Sequence, residues 1–440
     1  MCSSNMLNNY ICALDLGSSK IASVVAEIKR KRIANIFFES IPSRGIKKGV
    51  IIDSTEVIGS IGKILKRLKI KSGINIKSIY TNISGTDVVT KHSRAIIPLA
   101  ERGNKVITLS DIRKVNEQAR ILAASLEEDI IHQIPFSYTI DSRSNILNPL
   151  GLYSHSLEVD LYLVCAKLSS IQSLTRVINQ AGYEIKNLFF SGLATSNVVF
   201  DKEFQVGVNP VTGDDSGGTN FSKGINILCD IGSDIIELLI FKDGSLCDIA
   251  ILALGGDDIT AELSNSLKMP FDLAEDTKRS YGIIGKQSQV KEDKEILVKK
   301  DNIYKPIKQR LVSEIITAKT KLICENLKDT LDKKIDLSQV DNFVTVGRTI
   351  LLEGFLEMLE NTLETSVKIG RITDPHISSL VNKDNNLSGQ RYLTYITCLG
   401  MLSEALKGKQ PQTLPVNQPA PKNPFLRAIN RFKEVYEEYF

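Results

Sequence analysis

Two short stretches of this sequence combine an aspartate, a glycine and hydroxyl side chains in the order that a phosphate-binding turn needs. The first is Asp15–Lys20 (DLGSSK) and the second is Asp230–Asp234 (DIGSD). Glycine allows tight backbone geometry and close approach of a ligand, and the N–H and hydroxyl groups that follow it can bind phosphate oxygens. Asp15, at the end of an apolar run, is placed to bind a magnesium ion through water. Many tight hairpins without a ligand would satisfy the same pattern.

A third group of polar residues lies in Ala253–Gly282. A Gly-Gly step, Gly255 and Gly256, leads into a predicted helix with acidic residues at its start, where they complement the helix dipole. Glu275 and Lys278 then stand three residues apart on one face of a helix. Taken alone, this pair is more typical of an ordinary surface ion pair than of a bracket around the ribose and adenine of a nucleotide.

Both Asp-x-Gly turns lie between apolar runs, which predicts a β-hairpin around each turn. The predicted strands are Tyr10–Leu16 and Ile21–Ile28 at the first turn, and Ile225–Cys229, Ile235–Phe241 and Leu246–Leu252 at the second. Two copies of one β-unit indicate two related lobes. A chance pair of unrelated buried hairpins is the alternative.

The remaining patterns predict a mixed α/β protein. The predicted helices are Ser110–Leu126 with Ser110-Asp111 as its cap, Ser169–Gly182 with Gly182 at its end, and Ile350–Leu359, and the predicted strands are Glu158–Cys165 and Asn342–Val346. The region from Asp258 to Glu360 is predicted to be mainly helical. Gly207–Gly224 is polar and Gly-rich, which indicates a mobile surface loop without chemistry.

Length and composition favour a globular protein of two or more lobes in a reducing compartment. The chain has 440 residues, and 42% are hydrophobic. A net charge of +4 does not suggest a nucleic-acid partner. The seven cysteines are odd in number and form no CxxC motif, so we expect small buried apolar residues and no disulfides or metal ligands. There is no signal-peptide pattern and no apolar run near the roughly 20 residues that span a bilayer, so we expect a cytoplasmic protein whose membrane contact is peripheral.

The order of these motifs resembles the phosphate-1, phosphate-2 and adenosine elements of the actin-like ATPases. The matching segments are Asp15–Lys20, Asp230–Gly232, Leu254–Thr260, Ala274–Lys278 and Thr345–Gly347. Within that superfamily the sequence is most similar to the FtsA family of cell-division proteins. The segments that carry this similarity are Ser43–Asp53, Asn82–Gly85, Ile134–Phe136 with Asp141, Asn148–Gly151 and Leu157–Val159. The resemblance covers about Ile11 to Leu406 and, separately, the C-terminal tail.

The resemblance implies an α/β, two-lobed actin-like ATPase fold of duplicated ribonuclease-H-like domains, with an FtsA-type extra subdomain and a C-terminal amphipathic helix. The implied divisions are subdomain IA (8–90, 169–190 and 378–408), subdomain IC, which is specific to FtsA (91–168), subdomain IIA (191–257 and 338–377), subdomain IIB (258–337), a Pro-rich linker (409–422) and a membrane-targeting helix (423–440). It also implies head-to-tail filaments, a membrane tether for the tubulin-like division protein FtsZ, and contacts with other division-ring proteins. The FtsZ C-terminal peptide is expected to dock around Asp258–Asp332.

The resemblance further implies that ATP and magnesium bind between the lobes. The implied nucleotide-binding residues are Asp15, Gly17, Ser18, Ser19 and Lys20 from the first lobe and Asp230, Gly232, Ser233, Gly255, Gly256, Glu275, Lys278, Gly347 and Arg348 from the second. Asp15 would hold the magnesium ion through water.

Two positions depart from the superfamily pattern. The second phosphate turn is usually Asp-x-Gly-Gly-Gly-Thr-x-Asp, whereas Ser233 and Asp234 replace two of those glycines here. Asp234 therefore brings negative charge towards the phosphates. Arg348 follows Gly347 where a second glycine is usual. No residue stands out as a general base for an attacking water, so we expect slow or absent ATP hydrolysis in a protein whose nucleotide holds the lobes together.

The tail, Asn423–Phe440, follows a linker with four prolines, Lys407–Lys422. Its apolar residues fall on one stripe of a helix with about 3.6 residues per turn, with Arg and Lys beside the first half. This pattern is typical of a helix that lies in a membrane interface, here an anionic inner membrane surface. Three glutamates near its end leave open a helix that docks on protein. The predicted membrane-binding residues are Phe425, Leu426, Arg427, Ile429, Arg431, Phe432 and Tyr436.

Other functions of the same superfamily are the alternatives. A sugar or acetate kinase would need a catalytic aspartate in a substrate cleft, and the sequence reveals no such site. A chaperone-type ATPase would need a peptide-binding domain, and only about 34 residues follow Leu406. The pilus-assembly relative of FtsA shares the fold, so binding to the FtsZ peptide would separate the two.

Overall fold

The computed structural model describes residues 10–406, except for residue 31, the segments 101–102, 201–223, 286–294, 301–302 and 383–386, and residue 388. The predicted loop Gly207–Gly224, apart from its last residue, and the predicted linker and amphipathic tail lie outside the described residues. Within the described ranges, no helix is both long enough and apolar enough to cross a bilayer.

Strands and helices alternate along the described chain. The strands are β1 (Tyr10–Leu16), β2 (Lys20–Lys29), β3 (Arg32–Pro42), β4 (Ile46–Lys47), β5 (Val50–Ile51), β6 (Ser78–Ile83), β7 (Val88–Pro98), β8 (Lys105–Val106), β9 (Glu128–Ile140), β10 (Arg143–Ile146), β11 (Tyr153–Ser154), β12 (Ser156–Lys167), β13 (Glu184–Phe190), β14 (Ile225–Ile231), β15 (Ile236–Lys242), β16 (Ser245–Leu252), β17 (Glu295–Lys300), β18 (Ile303–Lys308), β19 (Val340–Val346) and β20 (Val367–Ile369). The helices are α1 (Ser54–Ser72), α2 (Leu109–Leu122), α3 (Leu168–Gln180), α4 (Ser191–Val199), α5 (Gly256–Leu267), α6 (Phe271–Tyr281), α7 (Gln309–Asp332), α8 (Phe355–Leu363), α9 (Pro375–Asn382) and α10 (Ile396–Leu406).

The first lobe is built on a five-stranded sheet with the order β13-β6-β1-β2-β3. The strands β1 and β2 are buried along almost their whole length. Because successive side chains point to opposite faces of a sheet, this burial requires cover on both faces. The helix α1 packs with α3, α4 packs with α10, and both α1 and α10 contact β2. The two helix pairs therefore supply the two covering layers.

The second lobe repeats this topology in a sheet with the order β16-β15-β14-β19-β20. In both lobes three antiparallel strands come first and two parallel strands follow on the other edge. The two hairpins also share a register, because Asp15 lies opposite Ala22 and Asp230 lies opposite Glu237, seven residues further on in each case. The predicted duplication of one β-unit is confirmed.

The insert, defined here as residues 88–167 with β7 to β12 and α2, has its own hydrophobic core. Its four-stranded antiparallel sheet has the order β10-β9-β12-β7, and α2 packs against β7 and β12. The predicted bounds of α2 are wrong at both ends. The helix begins at Leu109, because Thr108 and Asp111 form a reciprocal capping box one turn earlier than predicted, and it ends at Leu122.

Three other predicted elements need correction. The helix predicted as Ser169–Gly182 ends at Gln180, with Gly182 at a φ of +92° just beyond it. The region predicted to be mainly helical also contains the hairpin of β17 and β18. The helix predicted from Ile350 begins at Phe355, because Gly354 adopts a φ of +85° and leaves room for the Ile284 carbonyl, 2.0 Å from where a Cβ would lie.

The described cysteines behave as small apolar residues. Five are buried and Cys247 is half-buried, and all six are free thiols. This confirms the prediction for every cysteine except Cys2, which lies outside the described residues. The subdomain bounds inferred from the resemblance stay a proposal.

Two glycine-to-alanine substitutions should change stability in opposite directions. In Gly400→Ala the new Cβ would lie 1.8 Å from the Ala194 carbonyl oxygen, where α10 packs on α4, so we expect a loss of about 1–3 kcal/mol. In Gly59→Ala, on the exposed side of α1, a Cβ meets no atom within 4 Å, so we expect a gain of about 0.5–1 kcal/mol. Urea unfolding measures both, and equal effects would contradict the close packing of α4 on α10.

Candidate nucleotide-binding cleft

The turns of the two equivalent hairpins line one cavity of about 400 Å³ between the lobes. In the first turn the Gly17 N–H donates to the Lys20 carbonyl at 3.0 Å, and in the second the Gly232 N–H donates to the Ile235 carbonyl, also at 3.0 Å. A Cβ at Gly17 or Gly232 would lie about as close to the same carbonyl oxygen. Both turns therefore need glycine for the same reason.

The first-lobe side of the cavity holds a buried ion pair. The Lys20 ammonium lies 3.0 Å from one Asp15 carboxylate oxygen and also donates to the Thr394 carbonyl. The Asn82 amide donates to the other Asp15 oxygen at 2.8 Å. Asp15 is 6% exposed, so both its oxygens are already bound within the protein. A metal ion would have to reach this carboxylate through water, as the sequence predicts.

The second-lobe side holds two further buried carboxyl groups, Asp230 and Glu237, which face each other across the hairpin. Burial raises the pKa of Asp230 to about 6; Lys20 opposes the shift and the Asp15 carboxylate adds to it. Burial, with the neighbouring Asp230 charge, raises the pKa of Glu237 to about 8. The Glu237 carboxyl also accepts a hydrogen bond from Ser84 of the first lobe at 2.5 Å.

At the other end of the cavity, α5 and α6 place Glu275 and Lys278 side by side, with the ammonium 2.6 Å from the carboxylate. The ammonium also donates to the Gly256 carbonyl at 2.8 Å and to the Thr260 hydroxyl at 2.7 Å. These three acceptors satisfy its three donors. Burial lowers the pKa of Lys278 against the pull of Glu275. The pair is thus a buried part of the cavity wall and not the ordinary surface ion pair that the sequence alone favours.

The segment after β19 closes the cavity from behind. Gly347 has a φ of +93°, and a Cβ there would lie 2.2 Å from the Ile231 carbonyl oxygen. Arg348, in the place of the usual second glycine, reaches across to the first lobe and donates to the Ser19 hydroxyl at 3.3 Å. The bulkier residue is accommodated because its side chain crosses the cleft between the lobes.

The structure brings thirteen of the fourteen predicted residues to this cavity. The exception is Gly255, which supports the second turn from behind, since a Cβ there would lie 2.5 Å from the Ser233 carbonyl oxygen. Sequence reasoning missed several residues that line the cavity: Gly49, Asn82, Ser84, Ser191, Glu237, Asp257, Arg279 and Thr349. For Glu237 a signal was present, because it stands where the pattern Asp-x-Gly-Gly-Gly-Thr-x-Asp ends in an acidic residue.

Two family models match the chain, and together they cover more than half of it. The model described as cell division protein FtsA matches residues 227–395. The model described as the SHS2 domain inserted in FtsA matches residues 85–165. The second match spans nearly all of the insert with its separate core.

Similar proteins agree with these matches. The cell division protein FtsA of Borreliella burgdorferi is 25% identical over 370 residues, which are 83% of this chain and 85% of that protein. The FtsA of Bacillus subtilis is 24% identical over 408 residues, or 92% of this chain and 85% of that protein. Among solved structures, the PilM-PilN type IV pilus biogenesis complex contains a chain with a TM-score of 0.61 at 13% identity, covering 91% of this chain and 99% of that one.

Two lobes of repeated topology that meet at a cleft lined by equivalent glycine turns define an actin-like fold. The predicted fold class, including the FtsA-type insert, is confirmed. The chain belongs to the FtsA family of cell division proteins, as its motifs indicate.

Replacing Glu237 by glutamine should flatten the pH dependence of stability. The raised pKa, about 8 against an ordinary 4.5, means that the folded chain holds this proton more tightly than the unfolded chain. The resulting stabilisation is complete below the ordinary pKa and is lost as the pH rises through about 8. Between about pH 5 and 8, wild type should lose a few kcal/mol more than Glu237→Gln.

Urea unfolding at each pH unit, without nucleotide or divalent cations, measures this difference. The matched control is Glu353→Gln, which removes the same charge from an exposed position and should follow wild type. A Glu237→Gln variant with the wild-type slope would contradict the argument.

Proposed function

We propose that this protein binds ATP with magnesium in the cleft and acts as an actin-like cell-division scaffold. In this proposal it polymerises on the cytoplasmic face of the inner membrane at the division site, tethers the FtsZ ring there and recruits later division proteins. The observation that carries the proposal is the cavity shared by the two glycine turns, in a chain of the FtsA family.

The size and donor set of the cavity fit the phosphates of a nucleotide. Its volume of about 400 Å³ lies within the range usual for small-molecule sites. Each lobe contributes a glycine turn followed by hydroxyl groups that can donate to phosphate oxygens. The proposed phosphate contacts are Gly17, Ser18 and Ser19 from the first lobe and Gly232 and Ser233 from the second.

The carboxyl groups of the cleft fit a magnesium ion held through water. Asp15, Asp230 and Glu237 interact electrostatically within one buried region, and a divalent cation bound there would favour their charged forms. Magnesium bound in this way usually keeps several waters and also contacts substrate phosphates. It would neutralise phosphate charge next to Asp230.

The other end of the cavity would take the adenosine. Glu275 and Lys278 form one wall, and Gly347 and Arg348 lie opposite the first turn. The Lys278 donors are already engaged inside the protein, so its role there is to fix the wall. We retain no residue as a general base, and we propose that the nucleotide mainly joins the two lobes.

The tail and the helical part of the second lobe carry the proposed partner sites. An amphipathic helix over residues 423–440 would bind anionic lipid with its apolar stripe, which Phe425, Phe432 and Tyr436 help to form. The FtsZ C-terminal peptide would dock on the helical subdomain around Asp258–Asp332. The pilus-type alternative is favoured only by the shared fold, and binding of this peptide separates it from the division role.

Removing the hydroxyls of the first turn should weaken ATP binding. The double variant Ser18→Ala/Ser19→Ala loses two donors to charged oxygens, each worth about 1.5–3 kcal/mol, so we expect the Kd for ATP with magnesium to rise at least tenfold. Calorimetric titration measures it. Ser60→Ala in α1 is the control and should bind like wild type; equal binding by the double variant would place the phosphates elsewhere.

Membrane binding tests the tail independently. The full chain should float with vesicles that contain anionic phospholipid and should float less with neutral vesicles, because basic residues flank the apolar stripe. A chain that ends at residue 422 should remain at the bottom of the gradient. If the shortened chain floats as well as the full one, the membrane site lies outside residues 423–440.

A further inference from the structure

The short hairpin of β4 and β5 is pressed against the phosphate side of the first lobe. Its two turn residues, Lys48 and Gly49, have φ values of +50° and +76°, the conformation of a type I′ turn. A Cβ at Gly49 would lie 2.4 Å from the Ser84 carbonyl oxygen, and one at Gly85 would lie 2.2 Å from the Lys48 carbonyl oxygen. The turn is therefore locked onto the end of β6 by two glycines that face each other.

This turn aims two consecutive backbone N–H groups at the cleft. The Gly49 N–H donates to the Ser18 hydroxyl of the first phosphate turn at 3.3 Å. The Lys48 N–H donates to the Asp234 carboxylate of the second lobe at 2.5 Å. Successive N–H groups in such turns form a concave binding site for anions. Here the anion in that site is a carboxylate that the protein supplies from the opposite lobe.

Asp234 is held in place by the backbone behind it. Ser233 accepts a hydrogen bond from the Asp257 N–H at 2.5 Å at the start of α5, and Gly255 packs directly against Ser233 and the Asp234 nitrogen. The Asp234 residue is 7% exposed, and a buried carboxylate is stable only when it is hydrogen-bonded or paired. Its bond to Lys48 is therefore a fixed part of the closed cleft.

We propose that the Lys48–Gly49 turn is an anion-binding element of the cleft, and that Asp234 competes for it with the terminal phosphate of a nucleoside triphosphate. This inference rests on the proposed function, that the cleft binds nucleotide between the two glycine turns. The contact between Lys48 and Asp234 lies where those turns meet, beside Ser18 and Ser233. A diphosphate leaves the contact intact, whereas a third phosphate must displace the carboxylate or accept its repulsion.

The charge around this contact gives the direction of the effect. Asp257 is near enough for the Asp234 charge to contribute to its raised pKa of about 6, so the carboxylates on this side of the cleft already repel one another. A phosphate placed near Asp234 adds negative charge to this group, and its cost is felt more strongly in a buried site than in water. The wild-type cleft should therefore prefer ADP to ATP more than a cleft with a neutral residue at position 234.

The test compares ATP and ADP affinity in the full chain with magnesium present. In Asp234→Asn the side chain keeps its shape and loses its charge, and the ratio of the Kd for ATP to the Kd for ADP should fall at least tenfold. The Kd for ADP itself should change less than about threefold. Asp234→Gly, which restores the usual pattern, should lower the ratio in the same direction. Asp329→Asn, an exposed charge on α7, is the control and should leave it unchanged. A ratio that is unchanged or higher in Asp234→Asn overturns the competition.

A second measurement needs no nucleotide and separates failure of this inference from failure of the proposed function. Hydrogen exchange of peptides from residues 45–53 should be at least tenfold faster in Asp234→Ala than in wild type, because the Lys48 N–H loses its acceptor. If wild type binds neither nucleotide, the proposed function fails, and the exchange rates still decide whether Asp234 holds this turn. Equal exchange in the two proteins overturns the contact.

Discussion

The cleft depends on one backbone contact that the chain makes twice. In each lobe a glycine N–H bonds to the carbonyl three residues later at 3.0 Å, and neither glycine leaves room for a side chain. The strands on either side of each turn are buried on both faces, so neither turn can move without its core. The hydroxyl groups after Gly17 and Gly232 are therefore held at two rigid edges. The cavity is the space that the two cores leave between them.

Charge is distributed unequally across that cavity. Asp15 is neutralised by Lys20 and by the Asn82 amide, whereas Asp230 and Glu237 form no ion pair among the residues that the structure describes. Burial then raises the pKa of both second-lobe groups. A buried carboxylate needs a proton, a cation or a strong donor. The second lobe is thus the side on which a bound cation would change protonation most.

The sequence predicted what depends on local pattern and missed what depends on long-range contact. Both hairpins were predictable because their apolar runs are continuous and end at Asp-x-Gly. The bounds of α2 were not, because Thr108 outcompetes Ser110 as a cap only through its reciprocal bonds with Asp111. Thirteen cavity residues followed from motif order. The bond from Lys48 to Asp234 joins positions 186 residues apart, and no spacing within either motif indicates it.

The closed cleft and the insert are mechanically joined. Three hydrogen bonds cross directly between the lobes, from Lys48 to Asp234, from Ser84 to Glu237 and from Arg348 to Ser19. A fourth link runs through the insert, where the buried Tyr162 hydroxyl accepts from the Ile249 N–H of β16 at 2.9 Å. Because an unpaired buried polar group is costly, the lobes cannot rotate far apart while Tyr162 stays bonded. Any opening of the cleft must therefore either break this link or carry the insert along with the second lobe.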